Sequence, residues 1–188
     1  MERLIGRICA YCVRNKIIPA EKAPWLAYGL EKRLTTWIAM PPFLLLSVIC
    51  IGFWQTVAFF CSFFLLRSRL NGYHADKYIS CFFLSLFAEA FFLLLVYPLI
   101  NEWSSILLVA LNAVLVFWLA PYNHPNMNLS DEEYIACRRS ARIYVCFIGA
   151  AFAVLYIIDL HSLAYGIVLG MTMAVVLLCV AYYRKEGT

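Results

Sequence analysis

Five apolar bands, at about residues 34–66, 78–98, 103–120, 142–159 and 162–183, dominate the sequence. Most approach the roughly 20 residues that carry an α-helix across a bilayer. A helix closes its backbone hydrogen bonds within one segment, which lipid requires because no water is there to accept them. Composition points the same way: 64% of the 188 residues are hydrophobic and 14% charged, against about 45–50% and about 25% in soluble domains. The chain is therefore expected to be an all-α, polytopic helical bundle embedded in the membrane. No Ser/Gly/Pro-rich linker or fixed-period repeat divides it, so residues 1–188 read as one membrane domain.

The net charge of +4 is modest. Its basic residues cluster between apolar bands instead of forming the continuous face a nucleic acid needs, which excludes that partner class. The opening residues 1–33 place Leu4, Ile5, Ile8, Tyr11 and Cys12 at helical spacing against Arg3, Arg7 and Arg14. That pattern fits an interfacial amphipathic segment lying among lipid headgroups. It is too polar for the apolar core of a cleavable signal peptide, so the amino terminus is expected to be retained. Several of the eight cysteines lie inside apolar bands, where free thiols are expected in place of a disulfide framework. Cys9 and Cys12 form a Cys-x-x-Cys without a partner pair, a spacing that one helical face explains without zinc.

Charge placement fixes the crossings better than hydropathy does. Basic residues concentrate in the amino-terminal segment through Arg33, at Arg67, Arg69 and Lys77, at Arg138, Arg139 and Arg142, and at Arg184 and Lys185. The positive-inside rule places all four clusters on the cytoplasmic face. The connections at Asn101-Glu102 and Asp159-Leu160-His161 carry no Lys or Arg and suit the outer face. An even number of crossings then separates successive clusters, giving helical hairpins at 34–66, 78–120 and 142–183 with cytoplasmic loops at 67–77 and 121–141. Six crossings and two cytoplasmic termini result. The first hairpin is tight: two helices of about 16 residues reach about 24 Å against a core of about 30 Å. Gly52 and Gln55 are offered as its turn and Pro41-Pro42 as a helix break.

Between the first and second hairpins runs Arg67-Ser-Arg69-Leu-Asn71-Gly72-Tyr-His74-Ala-Asp76-Lys77-Tyr-Ile-Ser80-Cys81. A thiolate is the reactive form of cysteine, and its pKa falls beside histidine, near cations or at a helix amino terminus. The segment offers Cys81 all three. If Asp76 caps the following helix, Cys81 lies in its second turn; if Ser80 caps it, Cys81 lies in the first and gains more from the dipole. On one straight helix His74 and Cys81 would sit about 10.5 Å apart along the axis, beyond the roughly 3 Å that proton transfer needs. The chain must fold back, and Gly72 permits such a backbone. On spacing alone the pair is weak evidence, because an ordinary interfacial histidine and a small apolar cysteine account for it more readily.

The Arg69, Gly72-Tyr-His74-Ala and Cys81 pattern resembles the accessory gene regulator protein B family. So do the chain length, the amphipathic start, and Ala120-Pro-Tyr-Asn-His124-Pro-Asn-Met-Asn-Leu129 followed by Glu133 and a basic run. Asn71 departs from it, since many members have a second glycine there. The resemblance implies a membrane-bound cysteine endopeptidase of Gram-positive bacteria that processes a quorum-sensing propeptide of the AgrD type. It further implies His74 as general base, Cys81 as nucleophile, no cofactor or metal, and a homodimer. The product would be a cyclic thiolactone or lactone, and the propeptide's acidic tail would be a partner for Arg138, Arg139 and Arg142, whose other role is to enforce topology.

Supporting candidates remain two-sided. Asp76 either orients His74 as a triad member or pairs with Lys77. Glu89 shares a helix face with Ser85 and Cys81 but lies about 12 Å of rise from the thiol. It either orients the site or makes a structural hydrogen bond to a neighbouring helix. His124 reads as a loop residue and His161 as surface. Neither His-Glu-x-x-His nor Gly-x-Ser-x-Gly is present. The competing class is a non-enzymatic small peptide transporter built from inverted hairpins around Glu89.

Overall fold

The computed structural model describes residues 2–15, 17–70, 78–122 and 130–186, and the regular structure among them is helical. Contacts group the chain into two compact units, residues 1–45 and 46–188. The first unit holds α1 (Glu2–Arg14), a 3-10 turn (Ala20–Lys22) and the first part of α2 (Ala23–Ile51). Helix α1 buries Ile5 and Cys9 one turn apart, while Ile8 and Tyr11 stay exposed.

Helix α2 begins earlier than its apolar band, so residues 23–33 are helical and continuous with it. Pro24 is tolerated there because the first turn has no intrahelical use for its N–H. Pro41 and Pro42, expected to break the band, lie inside the helix. The proline φ is compatible with α geometry, and the pair deprives the Trp37 and Ile38 carbonyls of their usual donors without ending the helix. The break comes instead at Gly52, at φ 87°, where an added Cβ would approach the Gln55 side chain at 2.9 Å. Gln55 already belongs to α3 (Phe53–Leu70).

In the second unit α3 is followed by α4 (Tyr78–Phe91), α5 (Glu102–Leu119), α6 (Asp131–Ile157) and α7 (His161–Glu186). Helix α4 runs on as a π turn (Phe92–Val96) and a 3-10 turn (Tyr97–Leu99). Pro98 accounts for the change of winding, since it cannot donate to Leu94. Asn101 then opens α5 through a capping box with Ser104, and Ser130 opens α6 through one with Glu133. The second box starts α6 within the 121–141 stretch expected to be loop. Arg138, Arg139 and Arg142 therefore ride on helix, as do Arg67 and Arg69 in the last turn of α3. Asp159, at φ 59°, turns α6 into α7.

Among the described residues, four segments are long and apolar enough to cross a membrane: Phe82–Leu99, Glu102–Leu119, Asp131–Ile157 and His161–Tyr183, with Met40–Ile51 a shorter apolar helix. The last of the four is the axis of the bundle. It is 61% buried, against 17–22% for the others, and it packs on α3, α5 and α6. A helix packed against three neighbours has little need of a polar face, and α7 is apolar around most of its circumference. Its closest neighbour is α3. A Cβ on Gly166 would meet the Gln55 carbonyl oxygen at 2.6 Å, and one on Gly170 would collide with the Phe59 carbonyl and the Ser62 hydroxyl. This Gly-x-x-x-Gly spacing lets two backbones approach. The Ser62 hydroxyl donates in the gap, 3.0 Å from the Phe59 carbonyl and 3.1 Å from that of Ile167. On the other side Asn112 Nδ2 donates to Thr172 Oγ1 at 2.9 Å, tying α5 to α7.

Candidate active site

His74, Gly72, Asp76, Asn71 and Lys77 lie outside the described residues, as does His124; what can be built is the frame around them. The described part of α4 starts at Tyr78, which makes Cys81 its fourth residue and places Ser80 inside the helix, so Ser80 is not its cap. Asp76, the alternative cap, falls among the undescribed residues.

The chain leaves α3 for the His74 segment from a fixed point. The Leu70 carbonyl accepts the Tyr122 N–H at 3.0 Å, and Leu70 and Tyr122 are both buried. Tyr122 follows the end of α5, whose last carbonyls need partners because a helix terminus cannot supply them. Phe117 is a particular case: its usual donor four residues on is Pro121, which has no N–H. Arg142 fills the gap, donating from Nη2 to the Phe117 carbonyl at 3.1 Å, with its guanidinium 5.3 Å from the Phe117 ring centroid. A cation at a helix carboxyl end also suits the dipole. The Tyr182 hydroxyl donates to the Leu119 carbonyl at 2.6 Å, and its ring meets Tyr122 edge to face at 5.0 Å. Arg69 lies over the Tyr144 ring of α6 at 5.5 Å. One end of the bundle therefore gathers Arg69, Arg142, the exit point at Leu70 and the carboxyl end of α7. Tyr182→Phe removes one capping donor and is expected to cost about 1 kcal/mol, read as a lowered unfolding temperature in detergent.

Arg138 and Arg139 lie on the same part of α6 as Arg142. Together with Phe117, Ile135, Ile143 and Cys146 the three line an open groove of about 450 Å³. Arg142 is committed to capping α5, which makes it a structural residue first.

Along α4, Cys81, Ser85 and Glu89 fall four residues apart in a regular helix and so share one face. Glu89 is 1% exposed, and its Oε1 accepts the Ser47 hydroxyl at 2.6 Å. Ser47, in the last turns of α2, is itself buried. Of the two roles open to Glu89, the interhelical hydrogen bond is present. Among the described residues Oε2 has no hydrogen-bond partner. Ser47→Ala would leave both carboxyl oxygens without a donor among the described residues. An expected loss of about 1–3 kcal/mol follows, checked by thermal unfolding, and Glu89→Gln should be milder because the amide oxygen still accepts from Ser47.

At the opposite end His161 is half-buried, with Nε2 3.4 Å from Asp159 Oδ1 and its ring 4.7 Å from that of Tyr156. It is the first residue of α7, held by neighbours more than a bare surface group. The described cysteines, Cys9, Cys12, Cys50, Cys61, Cys137, Cys146 and Cys179, are free thiols, and among the described residues no three His, Cys, Asp or Glu groups converge as metal ligands. Reading the sequence did not single out Ser47, Tyr182 or the Gly166/Gly170 pair. The glycine spacing was the available signal for the last; a lone serine or tyrosine gives none.

A model of the family described as accessory gene regulator B matches residues 5–178. No curated protein and no solved structure matches the chain.

Proposed function

The chain belongs to the accessory gene regulator B family, and from that membership we propose that it is a membrane-embedded cysteine endopeptidase with Cys81 as nucleophile and His74 as general base. A role of this membrane protein in accessory gene regulator peptide processing rests on the family itself. The finer chemistry rests on one observation: the matched residues 5–178 include the Arg69–Cys81 segment, whose sequence holds His74 and Cys81.

The mechanism follows from the groups available. His74 takes the thiol proton as the Cys81 sulfur attacks a peptide carbonyl on the carboxyl side of a short AgrD-type propeptide. The tetrahedral adduct collapses, the C–N bond breaks, and His74 returns the proton to the departing amine. The tail leaves as a free peptide and the amino-terminal part stays as a thioester on Cys81. An internal cysteine or serine of the substrate then displaces Cys81, closing a thiolactone or lactone and restoring the thiol. Exclusion of water at the membrane edge favours closure over hydrolysis. Asp76 orients His74, and Gly72 gives the backbone the freedom to bring His74 back toward Cys81. Arg69, held over Tyr144, anchors the exit from α3.

In this account α2 with α3, α4 with α5, and α6 with α7 make six crossings, with both termini and the site on the cytoplasmic face of a Gram-positive cell membrane. The gathering of Arg69, Arg142 and the Leu70 exit at one end of the bundle supports it. A cysteine placed at Asp159 should react with an impermeant thiol reagent added outside the cell, and one placed at Lys185 should not. The family also suggests a homodimer.

Co-expression with such a propeptide, followed by mass spectrometry, tests the proposal. A product lacking the tail and lighter by one water than the linear fragment is expected; the linear fragment alone would point to simple hydrolysis.

A further inference from the structure

The groove on α5 and α6 has a composition that tail binding does not explain. Ile135, Arg138, Arg139, Arg142, Ile143 and Cys146 recur at three- and four-residue spacing, so they form one stripe on α6 beside Phe117 of α5. The guanidinium groups occupy its polar half. Beyond them the stripe continues into apolar surface: Ile143 and Phe147 on α6, and Trp118 and Val114 on α5, are all exposed. A helix side of this kind within a spanning segment faces acyl chains.

The polar half also holds unused donors. Among the described residues, Arg138 Nε and Arg142 Nε are buried without a hydrogen-bond acceptor, although Arg142 Nη2 is engaged by Phe117. The acidic residues nearest in sequence, Asp131, Glu132 and Glu133, form no ion pair with these arginines among the described residues. Glu133 is spent on the Ser130 capping box. Buried guanidinium donors therefore face a groove whose walls are otherwise apolar.

We propose that the groove binds an anionic diacyl phospholipid, with its phosphate on Arg138, Arg139 and Arg142 and an acyl chain along Phe117, Ile143 and Cys146. Guanidinium forks match phosphate oxygens in pairs, and basic pockets between spanning helices suit such headgroups. From Arg138 inward the groove passes from charge at the bundle's basic end to hydrocarbon deeper in α6, the order of a lipid leaflet, with Ile135 on the headgroup side of the arginines. A polar acidic peptide would use the arginines but gain nothing from the apolar half. The inference requires only that the protein spans a membrane and is independent of the chemistry at Cys81.

Native mass spectrometry of the full chain, released from nanodiscs of equal phosphatidylglycerol and phosphatidylcholine, tests it. The wild type should retain phosphatidylglycerol preferentially, and Arg138→Gln/Arg139→Gln should lower that retention on the order of 30-fold, at about fivefold per basic residue. Arg142 is left in place because it caps α5. If the double variant fails to fold, Arg139→Glu, at an exposed position, carries the same test alone. Equal retention by wild type and variant would overturn the proposal. So would equal competition by inorganic phosphate or by a short acidic peptide, which would make the groove a general anion site or a tail site.

Discussion

Replacing Cys81 by alanine is expected to leave a co-expressed propeptide uncut, with processing reduced by about 10⁴-fold or more, the scale on which removal of a nucleophile acts. His74→Ala should lower it by about 10²–10⁴-fold, the typical worth of a general acid–base. The two losses should not add in the double variant, because base and nucleophile work as a unit. Mass spectrometry of the propeptide in membranes with matched amounts of each variant reads all three. A peptide transporter predicts another pattern. Removing one sulfur from α4 would leave transport and peptide mass unchanged, whereas disturbing the buried Glu89–Ser47 pair would be the damaging change. Continued processing by Cys81→Ala would end the peptidase account.

The largest expected effect on stability lies far from that chemistry. At Gly170 a side chain has no place to go, since a Cβ would collide with the backbone carbonyl of Phe59 and the Ser62 hydroxyl. Backbone cannot rotate aside as a side-chain tip can. Gly170→Leu must therefore push α3 off the central helix, losing the Ser62 hydroxyl's bond to the Ile167 carbonyl and the packing of Phe59, which is 1% exposed. Overpacking of this kind costs about 3 kcal/mol or more, which in a chain of this size corresponds to about 10 °C in unfolding temperature. Gly149→Ala is the control. Nothing lies within 4 Å of a Cβ there, so no loss is expected. Thermal unfolding of both variants in one detergent separates a specific helix contact from a general intolerance of substitution.

The sequence showed much of the fold because hydropathy and turn chemistry act locally. The bands from Tyr78 onward became helices, and Asn101 and Asp159 turn the chain where Lys and Arg are missing. Gly52 ends α2 with the positive φ a glycine allows. What pattern alone could not give was tertiary. Pro41-Pro42 looked like a stop, but two prolines cost a long helix only two donors. Helix α6 opens ahead of its apolar band because the Ser130–Glu133 box starts it before a basic run that reads as loop. The Ser47–Glu89 bond joins residues 42 apart in sequence, and no periodicity announces such a pair. Arg142 illustrates the same limit: its charge suggested topology or substrate, while its first task, capping the Phe117 carbonyl orphaned by Pro121, depends on α5 and α6 being neighbours. Cys81 and His74 were visible as residue types, yet only Cys81 has its helix described.

The central claim is a covalent intermediate on Cys81, and intact-mass measurement of the protein itself tests it most directly. A propeptide whose internal cysteine or serine is replaced by alanine cannot close the ring, so its acyl-enzyme should accumulate. The account predicts a protein heavier by the amino-terminal fragment less one water, an adduct on the peptide containing Cys81, and release by hydroxylamine, which cleaves thioesters. An unmodified protein with the tail nonetheless removed, or an adduct carried by another residue, would contradict it.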